Sequence, residues 1–231
     1  MARTVLVTGA SRGIGAGVAR AFAADGAHVV VCARDRDRLE ATVESIREAG
    51  GRVTPQRADV RDEFDVERLV ETAARVEDGA GIDLVVANAG VYHGEAGHTP
   101  MAEESYAAFD DHLRTNGRGV FATIREAVPH LAPEARVLVL SGSVARETKA
   151  GFGSYAVSKA TAEAVARGFA AELDRAVGIV DPGQVDTDLT DQHGRDPDDV
   201  APMLQWAADE LAAEELDGAV VSLADWKRAT R

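Results

Sequence analysis

Cysteine is nearly missing from this chain of 231 residues: Cys32 stands alone, in the apolar run Val29-Val30-Val31-Cys32. A disulfide framework is thereby excluded, and a lone thiol in such a run reads as a small buried hydrophobe, compatible with a reducing cytoplasm. Lysine is almost as scarce (Lys149, Lys159 and Lys227), and although arginine is abundant the formal net charge is −14. That balance repels polyanions and argues against nucleic acid or anionic membrane as a partner. No stretch reaches eighteen consecutive apolar residues, so a membrane-spanning helix is excluded. The opening Met1-Ala2-Arg3-Thr4-Val5 runs into a strand-like segment without the pattern of a secretory leader, and a cytoplasmic location is expected. Acidic excess with little lysine suits a salty cytoplasm, where hydrated carboxylates preserve solubility. An ordinary acidic protein from a GC-rich genome has the same composition.

Apolar residues nonetheless make up 45% of the chain, enough for a substantial core. Short β-branched runs at 4–7, 28–32, 52–56, 83–87, 136–140, 177–180 and 219–221 read as strands. Amphipathic stretches at 13–24, 36–49, 63–77, 104–131, 153–174 and 198–213 alternate with them. Strands separated by helices imply βαβ crossovers, hence an α/β fold with a parallel sheet covered on both faces. No repeat, low-complexity tract or linker interrupts the rhythm, and a single domain over 1–231 is the economical reading. The 104–131 stretch is long for one helix; Asn116-Gly117 inside it predicts a kink.

Directly after the first strand comes Thr8-Gly9-Ala10-Ser11-Arg12-Gly13-Ile14-Gly15, opening a helix. Small residues let the backbone turn sharply and approach a pyrophosphate, while helix-start N–H groups supply a positive dipole end for it. This TGxxxGxG pattern resembles that of the short-chain dehydrogenase/reductase family. Further features stand in the family's order: Asn88-Ala89-Gly90 at the end of the fourth strand, Ser143 ahead of the YxxxK pair Tyr155 and Lys159, and Pro182-Gly183 after the sixth. The resemblance covers nearly the whole chain.

The resemblance implies a doubly wound sheet of order 3-2-1-4-5-6-7 and an NAD(P)-dependent oxidoreductase. The dinucleotide would lie on Gly9, Ser11, Arg12, Gly13, Ile14, Gly15, Asn88, Ala89, Gly90, Tyr155, Lys159, Pro182, Gly183, Val185 and Thr187. Asp59-Val60 would meet the adenine, with Asp59 reaching the base amine. At the tip of the second strand an acid would bind the ribose hydroxyls of NAD. Here Ala33 is followed by Arg34, and with Arg12 in the turn this looks like the NADP(H) type, NAD(H) being the alternative. Arginine suits a phosphate because its planar fork donates paired hydrogen bonds. Asp35, one register step away, reads as the N-cap of the following helix.

A carbonyl receiving hydride becomes an alkoxide and needs a proton, and the reverse reaction needs a base. Tyr155 would fill both roles, although a phenol of pKa about 10 is a poor base at neutral pH. Lowering it by about 3 units takes about 4 kcal/mol, which one cation about 4 Å away supplies at an effective dielectric of about 20. Lys159 lies four residues along the same helix, hence on the same face. By resemblance, Lys159 also holds the nicotinamide ribose, Ser143 bonds the substrate oxygen, and Asn116 holds a water relaying protons to the lysine. Ser141 competes with Ser143, which has the family's spacing to the tyrosine. His93 and His98 lie in the loop after Asn88-Ala89-Gly90 and read as solvated loop histidines. Trp206 and Trp226 read as packing or subunit contacts.

The expected substrate is a small-molecule ketone or secondary alcohol, in a homodimer or homotetramer, with no metal. A 3-oxoacyl thioester reductase of the same family and a non-catalytic NADP(H)-sensing protein are the competing readings. Two departures from the family stand out. The approach to the sixth strand is short, so the helix before it must end early or turn tightly. Residues 188–197, where the family commonly carries a longer helical lid, hold Leu189 as their one large aliphatic side chain, which predicts a cleft open on that side. The C-terminus also lacks the family's usual glycine pair, which leaves oligomer contacts there in doubt.

Overall fold

The structure, a computed structural model, describes residues 2–187 and 194–231. Seven strands form one parallel sheet: β1 (Thr4–Thr8), β2 (His28–Ala33), β3 (Arg52–Arg57), β4 (Ile82–Ala87), β5 (Leu131–Leu140), β6 (Ala176–Asp181) and β7 (Val220–Ser222). Their spatial order is β3-β2-β1-β4-β5-β6-β7, as the resemblance implied. Alternation along each strand sends successive side chains to opposite faces. Val5 and Val7 of β1 therefore face one apolar cluster and Leu6 the other.

Helices α1 (Gly13–Ala24), α2 (Arg36–Glu48) and α7 (Ala201–Asp209) pack on the Val5/Val7 face. Helices α3 (Glu63–Arg75), α5 (Gly119–Ala127) and α6 (Gly153–Ala170) cover the other. Short helices α4 (Tyr106–His112), α8 (Ala213–Leu216) and α9 (Leu223–Ala229) complete the set among the described residues. Each element starts for a local reason. Asp35 accepts from the Arg38 amide at the head of α2, as expected of an N-cap, and Asp62 does the same for two amides of α3. Pro55, which has no N–H to donate, sits in β3 at the sheet edge.

Several boundaries differ from expectation. The 104–131 stretch divides into α4, a π-helical turn at Leu113–Arg118 and α5. The irregularity falls on Asn116-Gly117, as the sequence suggested, because a π turn fits one extra residue into the helix. Strand β5 begins five residues early, at Leu131, through Ala132-Pro133 and a register shift opposite Ile82 and Leu84. Pro133 made that tract read as a turn, yet an irregular strand end tolerates a missing donor. Helix α6 ends at Ala170 rather than 174, so the short approach to β6 is met by ending the helix early.

Candidate active site

At the end of β1 the chain turns at Gly9 with φ +69°, and a Cβ there would lie 2.7 Å from the Ala89 Cα. A Cβ on Gly15 would lie 2.4 Å from the Gly9 carbonyl oxygen. Bare backbone is therefore required where β1, β4 and α1 converge. Asn88 ties the turn down: its Nδ2 donates to the carbonyls of Thr8 (2.9 Å) and Gly9 (3.1 Å). The Thr8 hydroxyl in turn accepts from the amides of Asn88 and Ala89. Helix α1 starts without a side-chain cap at Arg12, whereas α2 and α3 are capped by aspartates.

The turn opens onto a cleft of about 310 Å³. Gly9, Ser11, Arg12, Gly13, Ile14, Gly15, Arg34, Val60, Asn88, Ala89, Gly90 and Thr187 all line it, as expected. Thr187 leans on the glycine turn, for a Cβ on Gly13 would sit 3.3 Å from its Cγ2. Asp59, Pro182, Gly183, Val185, Tyr155 and Lys159 do not line this cleft. Asp59 is bound elsewhere: Arg61 grips both its oxygens (2.6–3.1 Å) and also holds Asp111 at 2.6 Å. Burial alone would raise the Asp59 carboxyl, but the Arg61 hydrogen bonds and charge hold it below the usual range. Sequence reasoning missed Arg38 and Thr115 in the lining. Arg38 was findable, standing in the first turn of the helix that follows Arg34.

Beside this cleft lie the tyrosine and lysine of the YxxxK pair, one turn apart on α6. The Lys159 Nζ stands 5.8 Å from the centre of the Tyr155 ring and donates to the Leu140 carbonyl at 2.9 Å. Burial brings the Lys159 ammonium down to about 8, with the carboxylates of Glu163 and Asp181 opposing that shift. Burial pushes the Tyr155 phenol well above its usual range, and nearby Tyr92 and Asp181 add to this. The Tyr155 ring is half-buried, packed on Tyr92 (centroids 4.7 Å) and edge-on to His112 (6.1 Å).

Ser143 is exposed at the head of a short turn, Ser143–Ala145, that packs against α6. Ser141, its competitor, is buried and donates to Glu163 at 2.7 Å, which commits its hydroxyl to structure. Asn116 is buried in the π turn, which also packs against α6. Its side chain exchanges hydrogen bonds with both backbone groups of Val91 and donates to the Ser158 hydroxyl at 2.9 Å. That amide therefore anchors the loop after β4.

The loop histidines divide. His98 is exposed beside Glu95, whereas His93 is bonded to Asp111 at 2.7 Å. His112, which sequence reasoning passed over, is fully buried. Its Nε2 accepts the His93 amide (2.8 Å), and Nδ1 faces the Ser154 hydroxyl (2.7 Å). Burial lowers it despite nearby Glu104. Nothing in its polar surroundings in the sequence marked it. Trp206 is buried in the core and Trp226 packs at its margin under Arg195, in line with the packing reading. Cys32 is buried beside the glycine turn, and burial pushes its thiol up to about 12. Residues 188–193 of the expected short lid lie outside the described residues; at its end Arg195 pairs with 184–186 through the bonds Asp186 N to Arg195 O and Arg195 N to Gln184 O. No helix of the described residues is long and apolar enough to cross a membrane.

Comparison with known proteins agrees with this geometry. Residues 3–198 match the family model described as short chain dehydrogenase. The short-chain dehydrogenase/reductase FrzI of Cladobotryum sp is 32% identical over 192 residues, covering 81% of this chain and 72% of that protein. Glycine betaine reductase ATRR of Emericella nidulans is 34% identical over 194 residues, covering 81% of this chain, but the match spans just 15% of that much longer protein. Among solved structures, a short chain dehydrogenase from Burkholderia cenocepacia J2315 in complex with NADP superposes with a TM-score of 0.84 at 30% identity, over 96% of both chains.

Proposed function

The chain belongs to the short-chain dehydrogenase/reductase family, and from that premise we propose an NADP(H)-dependent enzyme that interconverts a ketone and a secondary alcohol, with Tyr155 as general acid/base. The observation that carries this reading is the buried Lys159 ammonium one helical turn from Tyr155, 5.8 Å over its ring. A buried cation on the same helix face favours the phenolate over the phenol by charge attraction. An ammonium brought down to about 8 is still mostly charged at neutral pH. A non-catalytic sensor has no use for so costly an arrangement.

The cleft fits a dinucleotide: a bare-glycine turn, an uncapped helix start and arginines Arg12, Arg34 and Arg38 around one space. When bound, the nicotinamide supplies or accepts the hydride. Ser143 donates to the substrate oxygen, Tyr155 gives it a proton or takes one, and Lys159 stabilises the phenolate. Arg34 and Arg38 favour a 2′-phosphate, while Asp35, which also lines the cleft, caps α2. The described chain works as one catalytic and dinucleotide-binding domain in the cytoplasm, as a homodimer or homotetramer. The rings of Tyr92 and Phe152 beside Tyr155 suit an unactivated apolar ketone better than an acyl thioester.

A turnover screen with NADPH and NADH over ketones, sugars and acyl thioesters tests the reading. NADPH-dependent reduction of ketones is expected. Tight NADPH binding without turnover of any class would make the protein a sensor instead, and thioester reduction alone would shift the substrate class.

A further inference from the structure

Behind Lys159 lies a second set of charges that the proposed chemistry does not use. Glu163 is 1% exposed, one turn further along α6, and Asp181 is nearly as buried at the end of β6. Arg146 reaches both, one guanidinium nitrogen on Glu163 and the other on Asp181. Ser141 adds a hydrogen bond to Glu163 at 2.7 Å, Arg167 approaches it at 3.4 Å, and the Gly183 amide bonds Asp181 at 3.1 Å. Arg146 also closes the turn that Ser143 begins, since its amide donates to the Ser143 carbonyl at 2.9 Å. One guanidinium thus ties together the serine turn, the helix of Tyr155 and Lys159, and the strand end that leads into Pro182-Gly183.

We propose that Arg146 is a positioning residue for this site: by occupying Glu163 and Asp181 it leaves the Lys159 charge free to act on Tyr155, and it fixes the turn presenting Ser143. The inference rests on the catalytic reading of Tyr155 above. Its physical basis is a count of charges. Two buried carboxylates face the Lys159 side of the site, and two guanidiniums, Arg146 and Arg167, answer them. Lys159 donates to the Leu140 carbonyl rather than to either acid, so its charge remains in surplus. The other titratable groups near the pair, Tyr92 and His112, pack on the Tyr155 ring, with centroids 4.7 and 6.1 Å from its own. Without Arg146, two carboxylates would be answered by the single, more distant guanidinium of Arg167, and their excess charge would draw on the ammonium, hold its proton more tightly and oppose ionisation of the phenol.

The chain has three lysines, so NMR of protein labelled at the lysine ε-carbon can follow Lys159 directly, with Lys149 and Lys227 assigned by arginine replacement. In Arg146→Met the Lys159 titration should move to higher pH by at least about one unit, the low end for a nearby charge. The acid limb of alcohol oxidation should move upward with it. Arg146→Met/Glu163→Gln should recover part of both shifts, and Arg146→Lys most of them. Should Arg146→Met fail to fold, Glu163→Gln alone must move Lys159 to lower pH, because one carboxylate is gone and Arg146 remains. An unmoved Lys159 titration in folded Arg146→Met, or in Glu163→Gln, overturns the proposal while leaving Tyr155 untouched. Near-native turnover by Tyr155→Phe overturns the catalytic reading, and with it this role for Arg146, whatever Lys159 does.

Discussion

Arg34 follows the end of β2 and Arg38 stands in the first turn of α2; both line the cleft, as does Asp35 between them, which caps α2. Replacing Arg34 with Ala should therefore raise the KM for NADPH more than that for NADH and shrink the preference in kcat/KM. Loss of one charge-assisted hydrogen bond corresponds to about 1.5–3 kcal/mol. Steady-state kinetics with both cofactors check this; a wild type that prefers NADH would return Asp35 to the ribose. Much at this scale was legible because family motifs name residues by position: the glycine turn and Arg34 line the cleft, and Tyr155 and Lys159 stand one turn apart on α6. Partnerships between distant residues were not legible. Nothing local says that Arg61 links Asp59 to Asp111, that the Asn116 amide is spent on Val91, or that His112 is buried under Tyr155. Each depends on segments 25 to 50 positions apart meeting in space.

Elements were read well where a single period dominated and poorly where two competed. Strands β1, β2 and β6 are buried apolar runs and fell within a residue or so of their observed ends. Strand β5 runs from Leu131 through Ala132-Pro133-Glu134, whose proline and charge hide its first half. The π turn was visible as Asn116-Gly117, a pair that disfavours a regular helix, though the sequence could not say which irregularity would result. The segment after β6 bears on substrate size. Thr187 leans on the glycine turn and Arg195 pairs back onto 184–186, and residues 188–197 hold Leu189 as their one large aliphatic side chain. Closure that excludes water needs a segment with apolar side chains to lay over the substrate. Bulky or elongated ketones should accordingly be reduced without severe loss relative to small ones. A ketone series of increasing size measures this, and activity confined to the smallest members would contradict an open cleft.

At the scale of the whole molecule, 39 acidic side chains face 25 lysines and arginines, and the surplus of fourteen negative charges cannot be matched pair for pair. Surface repulsion is screened as the Debye length falls from about 10 Å at 0.1 M salt to about 3 Å at 1 M. The melting temperature should rise over that range in NaCl; a flat or falling value would favour an ordinary acidic protein over one suited to salt. The sheet order, the two-faced core and the position of the cleft above the carboxyl ends of β1 and β4 all serve one arrangement, in which a dinucleotide meets Tyr155. The most direct test is Tyr155→Phe in purified, folded protein, assayed for turnover and for NADPH binding together. Turnover should fall by at least about a hundredfold, the low end for general acid–base catalysis, with NADPH affinity nearly unchanged. Near-native turnover in that variant would contradict the account.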